Sequence, residues 1–173
     1  KEEIYVLKMG SVTQTNLDIS SKYFIDYSNS NFKDDFMDIF LFSNSYFTIT
    51  TGTGIDTVSF VSKRPMIYVG IVPLKGYQYS GTQIINLTKD HYNKNTSNLM
   101  SLNQIFESEV WKSDKSNFFS KQGVALKDNH SSDILDVVDE MLKRLSNKWI
   151  QDKEMEQLQN KFILSIEGHD VAT

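Results

Sequence analysis

The chain contains no cysteine among its 173 residues. A disulfide framework, a thiolate nucleophile and every metal site built on cysteine are therefore excluded. Its histidines, His91, His130 and His169, are spread along the chain and form no constellation with Asp or Glu at ligand spacing, so we expect no metal site. No serine stands in a G-x-S-x-G elbow, which argues against a hydrolase of that type.

Long hydrophobic runs and an excess of positive charge are also missing. The longest apolar run covers residues 66–72 and is far too short to cross a bilayer, and no signal-peptide pattern opens the chain. The net charge is −4 and the isoelectric point is near 5.4, so nothing recruits nucleic acid or an anionic membrane surface. We expect no nucleic-acid partner, no membrane span and a cytoplasmic location.

The residues that are present predict one folded domain. Hydrophobic residues make up 39% and charged residues 23% of the chain, as in globular proteins. A chain of this length buries a single core. We assign residues 1–147 to the domain and 148–173 to its C-terminal helical tail. Because the chain opens at Lys1 and enters a strand-like stretch almost at once, we expect it to be a fragment of a longer protein.

Periodicity divides the chain into alternating extended and helical segments. Residues 36–43 carry apolar side chains on nearly every face, which predicts a buried helix capped by Asp34 or Asp35. Continuous apolar strands that alternate with helices indicate a parallel sheet covered on both faces. Strands are predicted at 4–8, 23–27, 46–50, 66–72 and 124–126, helices at 36–43, 55–62, 102–110, 115–121, 131–145 and 148–162, and a loop at 93–98.

The segment with chemical content is TITTGTGI, at residues 48–55. A strand that turns through two glycines into a helix points free backbone N–H groups, and the positive end of the helix dipole, at one spot that suits a phosphate. The hydroxyls of Thr51 and Thr53 add donors or cap the helix. The spacing is not G-x-G-x-x-G, because Thr57 occupies the third position, and no P-loop lysine follows. The alternative is a strand-to-helix turn that uses glycine for its geometry alone.

Three consecutive segments carry a family resemblance: DDFMDIFLFS at 34–43, YFTITTGTGI at 46–55 and PMIYVGIVP at 65–73. In order and spacing they resemble the DWMDIFL helix, FFIGTxSGL turn and VPxALxNxxP strand of a family of bacterial glycosyltransferases of surface-polysaccharide synthesis. Upstream, VLKMG and IDYSNS resemble the family's xIRMGD and IDYAxS, and downstream LNQIF resembles its LTFEEIL. The likeness extends to about Leu145. Two positions depart, since Lys8 replaces Arg and Ser11 replaces Asp, which removes a bidentate phosphate grip and a carboxylate.

The resemblance implies the C-terminal, donor-binding half of a GT-B glycosyltransferase. The implied fold is α/β, a Rossmann-like three-layer α/β/α sandwich with a mainly parallel sheet. The implied partners are a nucleotide-sugar donor and a missing N-terminal acceptor domain, without which the chain is inactive; no cofactor is implied. A homodimer through the exposed interdomain face is also expected. The implied donor- and phosphate-binding residues are Lys8, Gly10, Thr50, Thr51, Gly52, Thr53 and Gly54.

Two other function classes stay open. A non-catalytic interaction module that kept the fold and lost the site is favoured by the Ser11 departure. A nucleotide-sugar epimerase-like domain requires a carboxylate and a histidine near the diphosphate, and the sequence shows no such pair.

Several further side chains have two interpretations each, and the catalytic base remains unassigned. Asp26 contacts a ribose or sugar hydroxyl, or caps a turn. Tyr68, Tyr77 and Tyr79 line a base or sugar pocket, or belong to the core or surface. Arg64 is expected at the end of a helix, where its positive charge interacts favourably with the helix dipole.

Overall fold

The computed structural model of the chain describes residues 3–10, 17–76 and 83–170. The strands within these ranges are β1 Val6–Leu7, β2 Phe24–Ile25, β3 Thr48–Thr50, β4 Met66–Ile71, β5 Ile84–Thr88, β6 Asp90–Asn93 and β7 Val124–Lys127. The α-helices are α1 Asp35–Asn44, α2 Thr57–Val61, α3 Leu102–Glu107, α4 Ser116–Lys121, α5 Ser131–Leu145 and α6 Lys153–Asp170. Single 3-10 turns cover Tyr27–Asn29, Leu74–Gly76 and Val110–Lys112.

The strands form three separate sheets. The order β3-β4-β5 makes an open, fully parallel sheet with β4 at its centre. A second parallel pair is formed by β1 and β2, whereas β6 and β7 pair antiparallel. The chain is thus a mixed α/β protein with mostly parallel strands in an open sheet, which is compatible with a Rossmann-like α/β fold.

The central strand β4 forms the best-buried part of the parallel sheet. Met66 and Ile67 are 0% exposed, as expected for a continuous apolar strand between two neighbours. On the edge strand β3, exposure alternates: Thr48 and Thr50 are each 8% exposed, whereas Ile49 between them is 47% exposed. Helix α5 packs against β4 and β5, and its amphipathic pattern supplies the apolar face that this contact needs.

A second hydrophobic cluster lies around Trp111. It contains Leu74, Ile105, Phe106, Val110, Trp111, Phe119 and Val124. Helix α3 enters this cluster with a complete capping box, in which Ser101 and Gln104 satisfy each other's backbone N–H groups. The chain therefore buries its apolar residues at two places, beside the parallel sheet and beneath the β6–β7 pair.

Most predicted elements are present, but several bounds differ: the helix expected at 102–110 ends at Glu107, and the helix expected at 148–162 spans Lys153–Asp170. Asp34, one of the two caps that the sequence left open, caps α1 by accepting a hydrogen bond from the Met37 backbone N–H at 2.7 Å. The helix expected at 55–62 is shorter, at Thr57–Val61, and strands β5 and β6 were not predicted at all. Helix α1 is not buried on all sides, because Phe36 is 72% exposed and Phe40 is 47% exposed.

No helix among the described residues is both long and apolar enough to cross a membrane.

His91 on β6 is a buried imidazole. The residue is 2% exposed, and its Nδ1–H donates to the Lys89 carbonyl oxygen at 2.9 Å. Its Nε2 is buried and has no hydrogen-bond partner in the part of the chain that the structure describes. Burial lowers the pKa of His91 below its usual 6.5, an effect opposed by the Lys89 hydrogen bond and the charge of Asp90. The folded state therefore disfavours the imidazolium form.

We expect the chain to lose stability as the pH falls below about 6.5, because the unfolded state then binds a proton that His91 in the folded state does not. One such proton contributes at most about 1.4 kcal/mol per pH unit. Urea unfolding of the wild type and of His91→Leu, repeated between about pH 7.5 and 5, measures how the free energy of unfolding changes with pH. The variant should show the shallower pH dependence, and parallel curves would contradict the prediction.

Candidate functional site

The glycine loop, residues Thr51 to Gly54, follows directly on the carboxyl end of β3, and all four residues are exposed. Gly52 and Gly54 have φ angles of 83° and 87°, a region that residues with a side chain rarely adopt. A Cβ atom at either position would meet nothing within 4 Å. The backbone conformation therefore explains these glycines, and the space above them is open to a ligand.

A buried carboxylate supports the loop from below. Asp56 is 4% exposed, and its Oδ2 accepts a hydrogen bond from Thr50 Oγ1 at 3.1 Å. The same Thr50 oxygen accepts from the Gly52 backbone N–H at 3.1 Å. Asp56 thus fixes the first turn of the loop through Thr50.

Tyr68 contacts this carboxylate from the neighbouring strand, where it pairs with Thr50 in the β3–β4 register. Burial, the charge of Asp56 and a hydrogen bond to Asp56 raise the pKa of the Tyr68 hydroxyl. The structure therefore places Tyr68 beneath the loop, as part of its support.

The hydrogen bonds of the loop and the length of α2 change which groups could bind a phosphate. The Gly52 N–H is used internally, so it is not free for a ligand in this conformation. The N–H groups of Thr53 and Gly54 donate no hydrogen bond within the described ranges. Helix α2 starts only at Thr57 and has five residues, so its dipole contributes little. Anion affinity here would come from exposed N–H groups and hydroxyls.

Lys8 lies in the other parallel sheet, immediately after β1. Its Nζ forms an ion pair with Asp26 Oδ2 at 2.9 Å, and the two side chains are 14% and 23% exposed. Asp26 also accepts from Ser28 Oγ at 2.5 Å and from Asn29 Nδ2 at 2.9 Å. The hydrogen bond from Ser28, followed by that from Lys8, lowers the pKa of Asp26 to about 2. The carboxylate therefore stays ionised and offsets the lysine charge.

The structure thus divides the predicted donor-binding residues between two sheets. Lys8 and Gly10 follow β1, and the Gly10 carbonyl oxygen accepts from Lys33 Nζ at 2.6 Å. Thr50 and the glycine loop belong to the sheet of β3, to which β1 is not hydrogen-bonded. Three residues of the sequence interpretation, Ser11, Tyr77 and Tyr79, lie outside the described residues.

The remaining polar candidates have local structural roles. Arg64 Nε donates to the Ser43 carbonyl oxygen at 2.6 Å, at the C-terminal end of α1, where a cation is favourable. His130 caps α5 by accepting a hydrogen bond from the Ser132 N–H. Among the described residues, no group of three or more His, Asp or Glu side chains is placed to hold a metal ion.

Asp56 is the site residue that the sequence analysis missed. Its signal was present as the one charged residue between positions 39 and 62, two positions after Gly54. A carboxylate at such a position needs polar partners, which the adjacent strands supply.

Comparison of the chain with protein-family models, curated proteins and solved structures gives no match. The fold and the loop define a mixed α/β protein whose open parallel sheet carries an exposed glycine loop at the carboxyl end of its edge strand. Functional assignment rests on that loop and on the sequence resemblance.

Proposed function

We propose that the chain is the nucleotide-sugar-binding half of a GT-B glycosyltransferase that transfers a sugar to a polysaccharide or glycolipid acceptor. The observation that carries the proposal is the exposed glycine loop after β3. Open α/β sheets bind ligands outside the carboxyl ends of their strands. In the complete protein, a three-layer α/β/α arrangement would cover both faces of the sheet.

In this proposal the loop binds the diphosphate of the donor. The N–H groups of Thr53 and Gly54, together with the hydroxyls of Thr51 and Thr53, hydrogen-bond the phosphate oxygens and stabilise the charge that develops on the leaving diphosphate. The acceptor site and the catalytic base belong to an N-terminal domain, so this chain alone is inactive. A cytoplasmic location is part of the proposal, and a chain without cysteine is compatible with it.

The proposal is tested by calorimetric titration of the chain with UDP, GDP, ADP and CMP, repeated with Gly54→Asp and Gly54→Asn. Asp and Asn have nearly the same size and tolerate left-handed backbone similarly, so they differ mainly in charge. We expect one nucleotide to bind the wild type. The affinity of Gly54→Asp for that nucleotide should be at least about tenfold weaker than the affinity of Gly54→Asn, a difference of about 1.4 kcal/mol in binding free energy.

A control for backbone strain is available at Gly123. Its φ angle is 66° and a Cβ there also meets nothing within 4 Å, but it immediately precedes β7, which belongs to a different sheet from the glycine loop. Gly123→Asp should leave nucleotide affinity unchanged. Equal weakening by Asp and Asn at position 54 would mean that the loop conformation, rather than a phosphate contact, was lost. Absence of binding by the wild type would reject nucleotide binding by this chain.

The Lys8–Asp26 ion pair favours a second candidate, a non-catalytic interaction module of the same fold. A lysine held by an ionised carboxylate at 2.9 Å contributes little net charge for a diphosphate. This candidate predicts that none of the four nucleotides binds, so the same titration separates it from the first.

A further inference from the structure

Helix α1 and the turn before it expose apolar side chains, here called the α1 stripe: Phe32, three residues before the helix, and Phe36, Ile39 and Phe40 on the helix. They are 78%, 72%, 53% and 47% exposed. Within the helix, positions 36, 39 and 40 lie on one face, and the rings of Phe36 and Phe40 stack with centroids 6.2 Å apart.

The opposite face of α1 is already packed. Phe42 is 8% exposed, and its carbonyl oxygen accepts a hydrogen bond from the buried Ser59 hydroxyl at 3.0 Å. The helix also contacts α2. Rotation of α1 to bury the stripe would break these contacts, so the stripe is a fixed surface feature that only another molecule or another segment can cover.

The exposed apolar area of the stripe is large enough to form part of an interface. Taking about 200 Å² for a phenylalanine, its three rings expose about 400 Å², within the range of about 300–600 Å² for the largest apolar patch of a typical monomer, which is often functional. A standard interface removes about 800 Å² from each partner, of which the stripe supplies about half.

The charges beside the stripe are self-complementary. Asp34 and Asp35 lie exposed at the start of α1. At its end, Arg64 contacts the Ser43 carbonyl oxygen and follows directly on Lys63. If two copies of α1 pair antiparallel, the acidic start of each helix meets the basic end of the other, and the helix dipoles also oppose. Parallel pairing would bring like charges together.

We propose that a second copy of this chain covers the α1 stripe through antiparallel pairing of the two α1 helices. Such an interface is isologous, so each copy contributes the same residues. The contact between the acidic start of one helix and the basic end of the other therefore occurs twice. Near the two-fold axis, Ile39 of one copy lies opposite Ile39 of the other, and Phe36 of each copy lies toward the Ser43 end of its mate.

The first test is the oligomeric state of the 173-residue chain, measured by sedimentation over micromolar to sub-millimolar concentrations. We expect the mass to rise from 19.9 kDa to twice that value. Phe36→Asp should weaken dimerisation at least about thirtyfold, as for a central interface aromatic. Because Phe36 is 72% exposed and acidic residues suit a helix start, this variant should fold, which circular dichroism verifies.

Charge reversal tests the orientation. Asp35→Lys and Lys63→Glu should each weaken the dimer, and the double variant should recover most of the loss. The absence of native cysteine permits a third readout. Ile39→Cys should form a disulfide-linked dimer on mild oxidation, whereas Leu135→Cys, on α5 and 66% exposed, should not.

Sedimentation as a single chain at every concentration would overturn the proposal and leave the stripe to a partner of different sequence. A dimer that Phe36→Asp does not weaken would overturn it as well, because the interface would then lie elsewhere.

Discussion

Replacing Trp111 with alanine should lower the free energy of unfolding by about 3–5 kcal/mol, the usual cost of removing a buried tryptophan. Trp111 is 1% exposed, and its ring meets Phe106 edge-on with centroids 5.5 Å apart. It lies in the cluster beneath β6 and β7, where neighbouring side chains are too well packed to fill the vacated space. Since a domain is stable by only about 5–15 kcal/mol, this loss would remove a large share of the total stability.

Urea denaturation followed by far-ultraviolet circular dichroism measures this loss, and Trp149→Ala is the control. Trp149 is partly buried, with the Arg144 guanidinium 5.5 Å from the centre of its ring. Its removal should cost clearly less than removal of Trp111. Equal losses would contradict the importance of the Trp111 cluster, as would a Trp111→Ala loss below about 1 kcal/mol, the average for single substitutions.

Replacing Asp56 with alanine should lower the free energy of unfolding by about 1–3 kcal/mol and should also disturb the glycine loop. The variant leaves the Thr50 hydroxyl, which donates to Asp56 at 3.1 Å, without its acceptor, and a buried unsatisfied polar group costs about 1–3 kcal/mol. Because the Thr50 oxygen also accepts the Gly52 N–H, the loop should lose its first fixed point and any nucleotide affinity should fall.

Two variants separate the hydrogen bond from the packing around Asp56. Asp56→Asn keeps a side-chain oxygen as acceptor and should lose less stability than Asp56→Ala. Thr50→Val removes the hydroxyl while keeping the shape of the side chain. In a double-mutant cycle, Asp56→Ala and Thr50→Val should be non-additive by at least about 0.5 kcal/mol. Additive effects would show that the two side chains support the loop independently.

The periodicity of the sequence predicted the elements that depend on local pattern. The apolar run at 66–72 became the central strand β4, and the amphipathic repeat from residue 131 became α5. Strands β5 and β6 were missed because their side chains are almost all half-buried. The sequence there mixes apolar with charged residues and shows neither a continuous apolar run nor a strong helical period.

The glycine loop could be located from sequence, but its support and its relation to Lys8 could not. Gly52 and Gly54 both adopt left-handed backbone. Because glycine favours that conformation, the two glycines in the sequence indicate a turn there. The partner of Lys8 is Asp26, eighteen positions along the chain, and the two meet because β1 and β2 pair in parallel. Such pairing depends on tertiary contacts that a single strand pattern does not encode.

The sequence by itself determined the α/β class, the absence of thiol chemistry, the turn at the two glycines and the cap of α1, because each depends on composition or on residues a few positions apart. Tertiary structure decided which charges are offset and which apolar faces are covered. Helix α1 is the clearest case: its sequence is apolar on nearly every face and predicted complete burial, yet the fold covers only the face that carries Phe42. Helical periodicity identifies which face of a helix is apolar. Whether other residues of this chain bury that face depends on how the other elements are arranged.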